Sequence, residues 1–276
     1  MIECSYDWRD SVLNSCSTVA NQIGRDLSTD LAAPPANASD NKLTLVAHSL
    51  GGLVVKAAIA KELIHPARID RIVYIGCPQY GAPAAFRSIY SDVDLPFFSQ
   101  FASLFRGLEK QAFRTNILRS FRTFPSLCEM LPASSIDYIC YSAVHRTNPL
   151  REAFMDHAKR DIAIQAQKAL RNADLIVEAA KIPTFAIYTT TASDFQTDHE
   201  FSVEAIAIPN GYRVLDVYHR DWDGDGTVPA YSAKGNDYCR PVPVINCKHA
   251  FMCESNAVLD GLVKTGGDPA LGAGTP

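Results

Sequence analysis

Residues 42–48, KLTLVAH, form a short apolar, β-branched run that stops at Ser49-Leu50-Gly51-Gly52. LVVKAAIAKELI follows with helical character to about Ile64. A buried strand that turns directly into a helix rejoins its sheet by a crossover, which produces parallel pairing. Further runs repeat the pattern. Arg71–Gly76 reads as a strand, a long helical pattern covers about 150–181, and Pro183–Thr189 reads as the next strand. Two strand-like stretches near 201–208 and 212–218 flank Pro209-Asn210-Gly211, a hairpin signal. Val242–Asn246 reads as the last strand, ahead of a helix from about Phe251 to Val263. Strands alternating with helices predict an α/β domain built on a mostly parallel sheet.

At 276 residues the chain suits one such domain. Twenty-six basic residues stand against 30 acidic ones, a net charge of −4, so charge makes no case for nucleic-acid binding. No run approaches 18 uninterrupted apolar residues, and MIECSYDWRD lacks a basic stretch followed by an apolar one. As written, the chain reads as cytoplasmic. Cys4, Cys16, Cys77, Cys128, Cys140, Cys239, Cys247 and Cys253 contain no CxxC pair, so no metal site is expected. They read as free thiols. The rival is one or two disulfides in an extracytoplasmic protein, a direction in which the sequon Asn37-Ala38-Ser39 also points.

Ala47-His48-Ser49-Leu50-Gly51 lies where the strand gives way to the helix. A sharp turn there lifts a serine hydroxyl above the carboxyl end of the sheet, and the next backbone N–H, that of Leu50, points at a developing oxyanion. Ala47 departs from the usual glycine and tightens the turn. A serine needs a base to remove its proton, and the base needs an acid to orient it. The order in this architecture is Ser, acid, His. Asp225, in the loop Asp221-Trp-Asp-Gly-Asp-Gly-Thr-Val-Pro229, and His249, just after the last strand, satisfy that order. The Asp-rich loop also echoes the start of a calcium loop, but the bidentate glutamate at its twelfth position is missing.

Tyr6-Asp7-Trp8-Arg9, AHSLGG, Ile75-Gly-Cys-Pro-Gln-Tyr-Gly-Ala-Pro83, Phe124-Pro-Ser-Leu-Cys-Glu-Met-Leu-Pro132, DGDGTVP and the late histidine occur in this order. Together they resemble the lecithin:cholesterol acyltransferase family of α/β-hydrolase lipases and acyltransferases. The resemblance implies an α/β-hydrolase fold with a helical cap or lid insertion. It implies Ser49 as nucleophile, Asp225 as acid and His249 as base, with Tyr6–Arg9 structural. It also implies lipid acyl-ester chemistry through an acyl-enzyme, with no cofactor and no metal. The alternatives are a catalytically impaired lipid-binding or interaction module, and an esterase of small soluble esters.

The expected domain spans residues 1–264, with the insertion at about 84–181 and a flexible tail at 265–276. Residues 97–124 hold seven of the 13 phenylalanines, flanked by Arg106, Lys110, Arg114, Arg119 and Arg122. Phe97, Phe98, Phe101 and Phe105 are therefore candidates for a lid over an ester or lipid substrate, or for contact with a membrane surface. Only Ile2–Tyr6 is a plausible strand ahead of Ser49. The first strands of a full fold are expected to be missing, with Met1 internal to a longer protein. A second oxyanion donor is not found. In that case an extracytoplasmic location is open.

Overall fold

Four of the apolar runs become the four strands of one parallel sheet. In the computed structural model, residues 1–37, 42–82, 84–85, 123–131, 157–190, 197–208 and 211–266 are described. The chain opens with α1 (Val12–Asp26), followed by β1 (Leu43–His48), α2 (Gly51–Ala60) and β2 (Ile69–Ile75). Next come α3 (Pro125–Glu129), α4 (His157–Ala179), β3 (Thr184–Thr190), β4 (Thr197–Ile208) and β5 (Gly211–Trp222). The chain closes with α5 (Ala230–Lys234), β6 (Cys239–Ile245), a 3-10 helix over His249–Glu254, and α6 (Asn256–Gly266). No helix of the described residues is long and apolar enough to cross a membrane.

The sheet order is β1-β2-β3-β6, every pair parallel, with His48 opposite Ile75, Ile75 opposite Ile187, and Thr190 opposite Ile245. All four carboxyl ends therefore meet at one rim, where ligands of such sheets bind. Leu45, Ala47, Ile72, Tyr74 and Ala186 pack on α1, α2 and α4. The opposite face puts Val73, Ile75, Ile187 and Val244 against Met252 and Val258, the latter in α6. The pair β4–β5 forms a separate antiparallel sheet running from Thr197 opposite Trp222 to Ile208 opposite Gly211. This hairpin is longer than its sequence signal, and it delivers the chain directly into the loop of Asp225.

Local chemistry explains the elements. Ser11 caps α1 by accepting the Leu13 N–H, and Val12, Cys16, Val19, Ala20 and Ile23 recur at helical spacing on its buried side. The α2 helix is apolar on nearly all sides, as a helix enclosed by α1, α4 and the sheet must be. Gly52 is its tightest contact, since a Cβ there would lie 2.5 Å from Cys77 Sγ. The Tyr6–Arg9 segment is tied down beside α3, with Trp8 edge-on to Phe124 at 5.5 Å and the Arg9 carbonyl accepting from Ser126 Oγ.

Three expectations change. Residues 1–7 form no strand. Ile2, Cys4 and Tyr6 alternate in burial as a strand would, but Cys4 and Tyr6 pack against the helical core, and Gln22 holds the Glu3 carbonyl. The final helix is split by a 3-10 turn and runs on through Gly266 rather than ending at Val263. The helix α4 falls inside the span 84–181, yet Leu170, Ala173 and Val177 lie in the main core, packed with α2. Among the described residues β1 is an edge strand, and Val46 is 49% exposed on its uncovered side. Among the described residues, Cys4, Cys16, Cys77, Cys239, Cys247 and Cys253 are free thiols. Cys140, Phe97, Phe98, Phe101, Phe105 and residues 267–276 lie outside the described residues.

Candidate active site

Ser49 follows the last residue of β1 and takes φ +53°, a left-handed conformation that a non-glycine residue adopts at a cost of about 1–3 kcal/mol. Its N–H donates to the Ile75 carbonyl at 3.0 Å and its carbonyl accepts from Gly52 at 3.1 Å. The turn is thus held by β2 on one side and α2 on the other. Ala47 is buried, and its methyl lies 3.8 Å from where a Cβ on Gly51 would stand. An alanine therefore fits the first small position, within ordinary van der Waals distance of that point. The Leu50 N–H has no acceptor among the described residues and sits at the start of α2, where the helix presents partial positive charge.

Asp225 is 2% exposed. Its Oδ1 accepts from the Thr227 N–H at 3.0 Å and the Val228 N–H at 2.7 Å, an arrangement that Gly226, at φ +88°, makes room for. Its Oδ2 lies 2.7 Å from His249 Nδ1. The backbone repeats the link, with His249 N–H donating to the Asp225 carbonyl at 2.9 Å. His249 Nε2 in turn lies 2.8 Å from Ser49 Oγ. A carboxylate that already collects two backbone N–H groups acts as an acceptor, so Nδ1 is the donor. That assignment leaves Nε2 with a lone pair toward the serine hydroxyl. The arrangement can move a proton from Ser49 to an imidazole braced by a carboxylate.

Ser49, Asp225 and His249, chosen as candidates from the sequence, are thus brought together, with Leu50 beside them. Other residues at the site were not singled out. Gly76, at φ +55°, allows the Asp225–His249 pair to pass close behind β2. Met252 is fully buried behind it. Thr227 and Val228 contribute backbone groups: both N–H groups donate to Asp225 Oδ1, and the Val228 carbonyl accepts the Asp225 N–H at 3.3 Å. A glycine placed immediately after a strand was the available signal for Gly76, and the backbone donors left none. Cys77 lies beneath the turn with its thiol on the Ala47 carbonyl, and burial pushes its pKa up to about 12, so it stays a thiol.

The lecithin:cholesterol acyltransferase family model matches residues 1–205. The chain belongs to this family. The matched span contains Ser49 and ends before Asp225 and His249. No curated protein matches the sequence. Among solved structures, the Tle4–Tli4 complex aligns at 13% identity and a TM-score of 0.51, covering 94% of this chain and 67% of that one. This chain therefore spans about two thirds of that protein's length. EstA from Clostridium botulinum aligns at 13% identity and TM-score 0.37, over 81% of this chain and 63% of that one. Lipase 1 from Pelosinus fermentans aligns at 11% and 0.36, over 96% and 86%. The fold is that of the α/β-hydrolases, and family membership places the chain, at a coarse level, with lipid ester hydrolases and acyltransferases.

Proposed function

We propose that this family member is a serine-dependent lipid ester hydrolase or O-acyltransferase that works through an acyl-enzyme on Ser49. The observation that carries the reading is the continuous hydrogen-bonded line from Ser49 Oγ through His249 to Asp225 at the carboxyl rim of the sheet. In the first half-reaction the Ser49 hydroxyl proton passes to His249 Nε2 as Oγ bonds to the acyl carbon. The carbonyl electrons move onto oxygen, where the Leu50 N–H donates. The tetrahedral adduct collapses, the ester C–O bond breaks, and the departing alcohol takes the proton back from Nε2. Water then completes hydrolysis, or a second alcohol completes transfer, by the same steps in reverse. Asp225 keeps the ring oriented and stabilises its charged form.

A fluorophosphonate probe tests the serine directly. Ser49 labels in the wild type, and Ser49→Ala abolishes it. Silence in well-folded protein points instead to a non-catalytic lipid-binding or interaction module. A series of p-nitrophenyl esters of increasing chain length separates a lipase, whose rate rises with chain length, from a small-ester esterase, whose rate falls. The Phe-rich stretch 97–124, with Phe97, Phe98, Phe101 and Phe105, is proposed as the lid or lipid-contact segment. Its deletion is expected to lower activity on aggregated lipid more than on a short soluble ester, and equal losses would remove that role.

A further inference from the structure

His48 has no role in the steps above, yet it is built into their centre. Leu45 and Ala47 of β1 point into the helical core, so alternation turns His48 to the opposite face, toward the loop after β6. There its Nε2 lies 3.1 Å from the backbone carbonyl of His249. Its ring lies 4.9 Å from the His249 ring, centroid to centroid, with the planes 33° apart. A carbonyl only accepts, so His48 Nε2 carries the proton. Burial, with His249 nearby, holds the His48 pKa down to about 4, which leaves the ring uncharged at neutral pH.

Asp225 anchors His249 at two points. Asp225 takes both its N–H and its Nδ1, so these two bonds fix the base relative to the acid. The bond from His48 ties the base instead to the strand that carries Ser49, 200 residues away. A base that must give and receive a proton over 2.8 Å loses rate steeply when it drifts. We propose that His48 is a positioning residue that clamps the His249 backbone and ring face, keeping Nε2 on Ser49 Oγ. The inference rests on the acyl-enzyme reading and deepens it.

Two substitutions separate the donor from the ring. His48→Phe keeps an aromatic face and removes the N–H, whereas His48→Gln restores an N–H near the place of Nε2. With folding verified by thermal melts, His48→Phe is expected to lower kcat and the Ser49 fluorophosphonate labelling rate about tenfold with KM within twofold, the effect of one lost hydrogen bond. His48→Gln is expected to stay within about threefold of wild type. The downfield Nδ1–H proton resonance of His249, absent from His249→Ala, should broaden or vanish in His48→Phe and persist in His48→Gln. Unchanged kcat in His48→Phe, a loss carried by KM alone, or a tenfold loss in folded His48→Gln overturns the clamp. If wild-type Ser49 fails to label, the acyl-enzyme reading falls and the resonance decides the clamp. Persistence unaltered in His48→Phe overturns it; loss there with retention in His48→Gln supports it.

Discussion

A Cβ built on Gly76 would stand 3.0 Å from Oδ2 of Asp225, the same oxygen that faces His249. It would also lie 2.6 Å from Met252 Sδ and 3.3 Å from His249 Nδ1, on a backbone at φ +55°. Gly76→Ala must therefore displace Met252 or the strand end, and it crowds both the acid and the base. We expect a stability loss of about 1–3 kcal/mol from the strained backbone and the overlap. Ser49 labelling should fall at least about tenfold in protein that remains folded. A wild-type labelling rate in the alanine variant would show that the close approach is dispensable.

Asp225→Asn separates orientation from folding. The carboxamide oxygen can still accept from Thr227 and Val228, but its NH2 now faces His249 Nδ1. The ring is driven into the tautomer that carries its proton on Nε2, where it repels the Ser49 hydroxyl proton instead of receiving it. Turnover is expected to drop by about 10³–10⁴ with little change in melting temperature. Asp225→Ala should lose comparable activity and, in addition, about 1–3 kcal/mol, because two buried N–H groups lose their acceptor. Similar melting curves for Asn and Ala would contradict this division.

The neutral His48 makes a prediction about acid. Burial is the main cause of its low value, His249 adds to it, and its bond to the His249 carbonyl and the charge of Asp225 oppose it. With a folded pKa of about 4 against 6.5 for an unburied ring, the unfolded chain binds more protons between those values. Stability therefore rises with pH across this window, and on acidification it is lost from about 6.5 down to about 4. The full shift corresponds to roughly 3 kcal/mol. Urea midpoints measured along the window should slope for the wild type and flatten for His48→Gln. An equal slope in both would assign the acid sensitivity to other groups.

Glu129 tests the scaffold apart from the site. Its carboxylate is buried, accepts the Val12 N–H at 2.6 Å and the Ser11 hydroxyl, and so joins α3 to the first turn of α1, 117 residues away. Removing it leaves a helix-terminal N–H buried without an acceptor. Glu129→Ala is expected to lower stability by about 1–3 kcal/mol, and Glu129→Gln by less, because one oxygen remains to accept. The rate of Ser49 labelling at a temperature where both are folded should match the wild type. A selective loss of labelling would tie this cap to the site.

Strands β2 and β3 were readable in the chain because a strand covered on both faces needs a near-continuous apolar run, and β1 and β6 because short β-branched runs end at turn residues. The Ser49 turn was readable because it needs small residues at fixed offsets. Ile2–Tyr6 misled for a related reason: alternation reports a half-buried extended segment, whether its neighbour is a strand or, as here, a helix layer. The 3-10 turn at His249–Glu254 was missed because the hydrophobic pattern of its residues runs on into α6, while its geometry answers to bonds from Asp225 and His48.

The kinds of group in the site and their order along the chain are local properties, written in single residues and their near neighbours. Their distances are not local. Ser49 and His249 stand 200 positions apart and meet because parallel pairing sets every strand end at one rim. Gly76 matters for the side chain it lacks, and Thr227 and Val228 for backbone protons that every residue but proline carries. Such contributions acquire meaning once packing has chosen which atoms face each other, and no pattern of side chains along the chain encodes that choice.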